Sequence, residues 1–212
     1  MCKLLSWLCG DKSQLVPEAP KQLPYGFKPK DVIVSRNVSL SAPYEHSYVD
    51  GTLRVVPDHW QLHSYALCAD NVPDQYSDHA RILPNAIGLT FLPHNEEIGI
   101  DGKWGFSQTI DLQPGCYLLK VTGRNWINDP KQGNILNYII SGWIDGALLS
   151  KQMIPHQSAF EFIYPFPVDV AGSHDVKWLV EVLWATPGHN SKIDIYGAGV
   201  LSVDSGHCNK TE

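Results

Sequence analysis

The residues best suited to bind a small ligand are concentrated in the segment GRNWINDPKQGNILNY, which runs from residue 123 to residue 138. Flat aromatic rings stack on the C–H groups of sugars, while amide, carboxylate and guanidinium groups bind sugar hydroxyls. The composition is typical of a loop between two strands, so these side chains could gather at one edge of a sheet, joined by a tryptophan from the next strand. The predicted ligand-binding residues are Arg124, Asn125, Trp126, Asn128, Asn137, Tyr138 and Trp143.

A different interpretation of the same residues stays open at this point. Trp126 and Trp143 could pack in the core, and the asparagines could simply form turns. For Trp60, Trp178 and Trp184 we expect core positions, because apolar residues alternate with polar ones around them.

Signatures of catalysis are absent from the sequence. It contains no G-x-S-x-G, no H-E-x-x-H, no phosphate-binding loop and no G-x-G-x-x-G. Two carboxylates on predicted strands, Glu161 and Glu181, could face one groove as a glycosidase pair, although such residues also form the solvated face of a sheet. We therefore predict a non-catalytic protein. A glycoside hydrolase-like enzyme stays open as an alternative, ranked third after the two hypotheses given at the end of this section.

Histidine is frequent, with nine residues, which raises the question of a metal site. His59 and His63 would share one side of a regular strand, and the stretch DQYSDH adds Asp74, Asp78 and His79. Neither group matches a known ligand spacing, so we predict no metal.

The composition indicates one folded domain. The chain has 212 residues, of which 43% are hydrophobic and 18% are charged, as expected for a globular protein. The formal net charge is −6 and no cluster of lysines and arginines stands out, which argues against a nucleic-acid backbone as partner.

From Asp31 onward, short strands follow one another with turn signals between them, which predicts an all-β antiparallel sandwich. Asp145 and Gly146 are typical of the turn of a two-residue hairpin. A short helix is predicted only at Gln75 to Ile82.

The stretch GFSQTIDLQPGCYLLKVTGRNW, residues 105 to 126, is predicted to form a hairpin around Pro114 and Gly115. Gln108 is the one polar residue on the buried face of the first strand, so we expect its amide to bind backbone near a loop. The two predicted buried faces consist of Phe106, Gln108, Ile110 and Leu112, and of Tyr117, Leu119 and Val121.

Three parts are predicted along the chain: an apolar segment and proline-rich arm at 1–30, the sandwich at 31–204 and a tail at 205–212. The apolar start MCKLLSWLCGDK is too short to span a bilayer and has no cleavage site. It could dock on the domain, on a neighbouring subunit or on a membrane surface. Since no export signal is recognised, we expect a protein that is cytoplasmic when made.

The five cysteines do not predict a disulfide scaffold, because their number is odd and they form no C-x-x-C motif. Cys116 is expected to be a small apolar residue of a strand. Cys2 and Cys9 could pair.

Several motifs carry a resemblance that covers residues 31 to 204: PDHW, GFSQTIDLQPGCYLLKVTGR, GWIDG and HDVKWLVEVLW. Together they resemble the jelly-roll carbohydrate-binding modules of the galactose-binding-like β-sandwich superfamily. The resemblance implies a jelly roll that binds glycans. Members often end with an acidic pair that helps to hold a structural Ca²⁺, whereas Asp204 is the only acidic residue of the closing stretch YGAGVLSVD. This departure puts a structural Ca²⁺ in doubt, and no other cofactor is predicted.

Two further expectations concern partners. The first hypothesis is a non-catalytic carbohydrate-binding module with a glycan as partner. The second is a structural virion protein, such as a capsid decoration, tail or baseplate component, which needs no export signal because lysis releases it. In that case residues 1–30 would contact neighbouring subunits of a homo-oligomer or larger assembly.

Overall fold

A computed structural model describes residues 23–40, 44–49, 52–65, 82–83, 86–91, 103–127, 137–155, 158–184 and 191–210. The predicted helix at Gln75 to Ile82 lies outside these ranges except for its last residue, and Cys2 and Cys9 also lie outside. A 3-10 helix covers Ser205–Lys210. The strands are β1 (Val32–Ile33), β2 (Tyr44–Val49), β3 (Thr52–Pro57), β4 (Gln61–Tyr65), β5 (Ile82–Leu83), β6 (Ala86–Phe91), β7 (Lys103–Leu112), β8 (Gly115–Ile127), β9 (Asn137–Ile144), β10 (Ala147–Ile154), β11 (Ala159–Val168), β12 (Gly172–Trp184) and β13 (Ser191–Val203).

Two antiparallel sheets form the sandwich. The first sheet has the strand order β11-β8-β13-β6-β5, with β1 paired to β13, and the second has the order β10-β9-β12-β7-β4. A separate ribbon joins β2 and β3. The prediction of an all-β antiparallel jelly roll is confirmed. No helix in the described part of the chain is long and apolar enough to cross a membrane.

The core lies between the inner faces of the two sheets. On β12 the residues Val176, Trp178 and Val180 are buried, as the alternation predicts. The rings of Trp104, Phe106 and Trp178 contact one another with centroids 5.4 to 5.6 Å apart, and we call these three residues the aromatic triad. Core positions are confirmed for Trp60 and Trp178, whereas the side chain of Trp184 is outside the description.

The predicted hairpin of residues 105 to 126 is wrong in its pairing. β7 pairs with β4 and β12 in the second sheet, while β8 pairs with β11 and β13 in the first. The chain crosses between the sheets at Gln113, whose carbonyl oxygen accepts a hydrogen bond from the Tyr117 hydroxyl at 2.7 Å. Both predicted buried faces are confirmed, and they face the same core from opposite sheets. A period of two fixes which side of a strand is buried, but not which strand lies beside it.

The second predicted hairpin is confirmed, with β9 and β10 joined by Asp145 and Gly146. Their φ angles of 49° and 79° are both positive, as a type I′ turn requires. The Asp145 carboxylate accepts a hydrogen bond from the Asp175 backbone amide at 2.8 Å and pairs with Nδ1 of His174 at 2.7 Å. The hydrogen bond to Asp145 raises the pKa of His174. Burial alone would raise the pKa of Asp145, but its bonds to His174 and to the Asp175 amide outweigh this effect and lower it.

Gln108 performs the role expected of it. Its side-chain oxygen accepts a hydrogen bond from the Arg36 amide at 2.7 Å, and its Nε2 donates to the carbonyl oxygens of Arg36 and His59 at 3.1 and 3.0 Å. The residue is only 4% exposed. It therefore fastens the segment after β1 and the turn between β3 and β4 to the edge of the core.

Replacing Gln108 with leucine is expected to lower the free energy of unfolding by about 1 to 3 kcal/mol, because backbone groups at Arg36 and His59 lose their partner. Urea denaturation measures this difference. The control is Thr109→Ala at the exposed neighbouring position, which should stay within about 0.5 kcal/mol of the wild type. Equal stability of the Gln108 variant and the control would contradict the assigned role.

The outer face of the first sheet is covered by the chain's own residues 24–27, which we call the N-terminal strap. The Tyr25 carbonyl oxygen accepts a hydrogen bond from the Thr122 hydroxyl at 2.7 Å, and the Gly26 carbonyl oxygen accepts one from Lys120 at 2.5 Å. A Cβ atom on Gly197 would lie 2.6 Å from the Pro24 ring, so the strap packs closely on β13. The last part of the predicted arm therefore belongs to the folded domain.

The interpretation of Cys116 as a simple apolar residue is wrong. It forms a disulfide with Cys208, and the two Cα atoms are 5.8 Å apart. The bond holds the 3-10 helix to the start of β8, so the predicted tail is tied to the domain through this helix. The two cysteines are 92 residues apart, and nothing local in the sequence indicates that they meet.

Candidate functional site

The predicted ligand-binding cluster is divided between the two sheets. Arg124 to Ile127 complete β8 in the first sheet, and Asn137 begins β9 in the second. Asn128 and the side chains of Trp126 and Asn137 are outside the description. Ligand binding by these three residues therefore stays a prediction.

Two members of the cluster point inward. Asn125 and Tyr138 are both 0% exposed, and Tyr138 belongs to the hydrophobic core. The strand alternation that turns Val121 into the core also turns Asn125 inward, so neither side chain is available to a ligand in this conformation. Sequence composition indicated a loop at Asn125, and the extension of β8 through this residue is the reason the expectation fails.

Arg124 and Trp143 lie on opposite sides of the sandwich. Arg124 is on the outer face of the first sheet, in register with Asp194 on β13. Trp143 is on the outer face of the second sheet, in register with Lys177 on β12. The two residues cannot contact the same small ligand, because both layers of the sandwich separate them.

Trp143 is a partly exposed tryptophan that the core does not use. Its indole Nε1 donates a hydrogen bond to the Ser141 hydroxyl at 3.0 Å, which fixes the orientation of the ring. The Lys177 ammonium lies 5.4 Å from the ring centroid, within the range of a cation–π contact. The alternative that Trp143 packs in the core is therefore wrong.

A row of side chains crosses four adjacent strands of the second sheet from Trp143. The register places Lys177, Ser107 and Gln61 next to one another along this line, on β12, β7 and β4. At about 4.8 Å between neighbouring strands, this Trp143 row spans about 14 Å. It combines an aromatic ring, a cation, a hydroxyl and an amide.

A glycine lies beside this row on β7, at a buried position. Gly105 lies between Leu179 and His63 in the next row, and a Cβ atom there would clash with the Trp178 carbonyl oxygen. Only a glycine fits this position. Ser107, its neighbour on the same face, is only 1% exposed, so a ligand would meet the flanking side chains on β4 and β12 rather than β7 itself.

His63 lies on β4, next to Gly105 of β7. Its Nε2 is 2.9 Å from the Ser107 hydroxyl. Burial lowers the pKa of His63, and the positive charge of Lys177 lowers it further, while Asp175 acts in the opposite direction. A neutral imidazole can donate or accept a hydrogen bond, which suits a sugar hydroxyl.

Glu181 is the buried acidic group of this face, with a side chain only 9% exposed. It accepts hydrogen bonds from Lys151 at 3.1 and 3.2 Å, and the Lys103 ammonium lies 3.7 Å away. Glu161 instead pairs with Lys120 on the outer face of the first sheet. A glycosidase pair of Glu161 and Glu181 is therefore wrong, because the two carboxylates lie on opposite sides of the sandwich.

The histidine pair considered for a metal does not form. His59 sits in the turn after β3 with φ of 70°, whereas His63 belongs to β4. Within the described ranges, no three His, Cys, Asp or Glu side chains converge in a way that could hold a metal ion.

A separate cleft of about 360 Å³ opens at the edge of β7. Gln108 forms part of its lining, but both ends of this amide are already occupied by backbone groups. The remaining lining residues are Val34, Arg36, His59, Thr109, Ile110 and Asp111.

The residues around Trp143 were not predicted as a group. Gln61, Ser107 and Lys177 are ordinary polar residues on the outward side of strands, a pattern that the sequence shows. Their neighbourhood depends on which strands pair and in what register, and the sequence does not show this.

No protein-family model matches the chain, and no curated protein sequence does. Similar solved structures include TmCBM61 in complex with beta-1,4-galactotriose, with 12% identity, 69% of this chain and 90% of that chain covered and a TM-score of 0.40. A carbohydrate-binding module of the β-sandwich superfamily has 13% identity, covers 75% and 62% of the two chains and has a TM-score of 0.35. Tailspike protein 4 of Bacteriophage CBA120 has 15% identity, with coverage of 69% and 20% and a TM-score of 0.39.

These similarities concern the fold. Carbohydrate-binding modules are among these similar structures, in line with the resemblance that the sequence motifs indicate. Identities this low carry no information about a ligand, so the function is argued from the surface around Trp143.

Proposed function

We propose that this protein is a non-catalytic β-sandwich that binds a glycan on the outer face of its second sheet, with Trp143 as the stacking residue. The observation that carries the proposal is a partly exposed indole on the side of the sheet away from the core, held in place by Ser141. A ring that is already fixed loses little conformational freedom when a ligand stacks on it.

The surroundings of Trp143 support a polar, hydroxyl-rich ligand. Gln61, Lys177 and His63 offer an amide, an ammonium and an imidazole within two neighbouring rows of the same face. The separation of Glu161 from Glu181 supports a binding role over hydrolysis by that pair.

The Cys116–Cys208 disulfide supports a working environment outside the reducing cytoplasm, because disulfides persist where the surroundings are oxidising. A glycan ligand is also met most often outside the cell. The proposed site of action therefore lies beyond the cytoplasm in which the protein is expected to be made.

Replacing Trp143 with alanine is expected to weaken glycan binding about tenfold or more, because the substitution removes the stacking surface. Ligands from a broad glycan array would be titrated by calorimetry. The matched control is Tyr25→Ala, which removes an aromatic side chain that is 60% exposed on the opposite side of the sandwich. The dissociation constant of the Tyr25→Ala variant for the same glycan should equal that of the wild type.

Trp126→Ala tests the predicted site at the end of β8 in the same experiment. Loss of binding in this variant, with Trp143→Ala unaffected, would move the site to the first sheet. If the wild type binds no glycan of the array, the proposal of glycan binding itself is contradicted.

A further inference from the structure

The lysines on the outer face of the second sheet differ in how their charges are balanced. Lys103 and Lys151 both contact Glu181, at 3.7 Å and at 3.1 Å. Each of these two ammonium groups thus has the Glu181 carboxylate as a partner. Lys177, in the middle of the same face, has no carboxylate within 4 Å among the described residues.

The side chains next to Lys177 do not neutralise its positive charge. Its ammonium lies over the Trp143 ring, which is an attractive but uncharged partner. Asp175 is two residues away on the same side of β12, about 7 Å along the strand. The Asp145 turn binds the backbone amide of Asp175, which fixes the course of the strand at this point.

The positive charge of Lys177 acts on the imidazole of His63, which lies across strand β7. His63, on the far side of Ser107, has a pKa that burial lowers first and Lys177 lowers second. Asp175 opposes this effect without reversing it. A ligand anion beside Trp143 would therefore meet the positive charge of Lys177, whose ammonium lies 5.4 Å from the ring centroid.

We propose that the ligands of this face are acidic glycans, in which a sugar carboxylate binds Lys177 while the sugar ring stacks on Trp143. This inference rests on the proposed function and adds the class of sugar to it. The contact at 5.4 Å between ammonium and ring shows that the two side chains reach the same place. One uronate residue would thus meet both of them, with the exposed Gln61 amide on the same face for a hydroxyl of the same or the next sugar.

The test compares an oligouronate with its carboxyl-reduced counterpart, two ligands of equal length that differ only in the carboxylates. The wild type is expected to bind the oligouronate about tenfold more tightly, and this preference should shrink as salt is added, since salt screens the attraction. In Lys177→Gln the two ligands should bind equally. The control Lys30→Gln, which makes the same charge change at an exposed residue outside the second sheet, should keep the preference.

The outcomes separate the two proposals. Equal binding of both ligands by the wild type, abolished by Trp143→Ala, would overturn the acidic-glycan inference and leave glycan binding standing. A preference for the oligouronate that persists in Lys177→Gln, with an unchanged thermal midpoint of that variant, would overturn the role of Lys177. Absence of binding to either ligand and to the wider glycan panel would overturn both proposals.

Discussion

Replacing Cys208 with serine is expected to lower the free energy of unfolding by about 2 to 5 kcal/mol, the usual cost of losing a native disulfide in a small domain. The bond joins positions 92 residues apart and closes a ring that contains β9 to β13 and nearly all of β8. A ring of this size restricts the unfolded chain strongly, which is the main source of the stabilisation in the chain-entropy account.

Urea denaturation with and without a reducing agent measures this effect. The experiment uses a background in which Cys2, Cys9 and Cys68 are serine, so that no other thiol can exchange. The reduced parent should be as stable as the Cys208→Ser variant, and the variant should not respond to the reducing agent. Free thiols at both Cys116 and Cys208 in non-reducing peptide mapping would refute the prediction.

The second large effect is expected from Phe106→Ala, at about 3 to 5 kcal/mol. Phe106 is 0% exposed, and its ring contacts both other members of the aromatic triad, Trp104 and Trp178. Its truncation leaves a cavity between two large rings on neighbouring strands, which cannot close without moving the second sheet.

Urea denaturation again gives the magnitude, and near-ultraviolet circular dichroism reports whether the two tryptophans keep their environment. Val170→Ala is the control, since Val170 is 73% exposed and its loss should change stability by no more than about 0.5 kcal/mol. A cost for Phe106→Ala as small as that of the control would mean that the triad does not hold the two strands together.

The comparison of sequence and structure separates local from distant information. The inward side of β7, including the buried amide of Gln108, and the turn at Asp145 and Gly146 were predictable, because alternation and turn chemistry act within a few residues. Cys116 was misjudged because its partner is distant in the chain. The pairing of β7 with β12 was missed because period two is the same whichever strand lies alongside.

The same limit applies to the candidate site. Trp143 was among the predicted ligand residues because its chemistry is visible in the sequence. Lys177 and Gln61 have no distinctive chemistry of their own, and only the register of four strands brings them to Trp143. Asn125 and Tyr138 were lost from the site for the opposite reason, since their chemistry is suitable but their strands turn them inward.

The position of the N-terminal strap determines how the molecule can be attached to something else. Pro24 to Phe27 lie on the outer face of the first sheet, on the side of the sandwich opposite Trp143. The polypeptide that precedes them is therefore connected to the domain on that side. A larger protein, a resin or a sensor surface coupled ahead of the strap would leave the Trp143 row, on the opposite side of the sandwich, accessible to the solution. Several copies coupled in this way would present their rows in the same direction, and a polymeric ligand could then engage more than one of them.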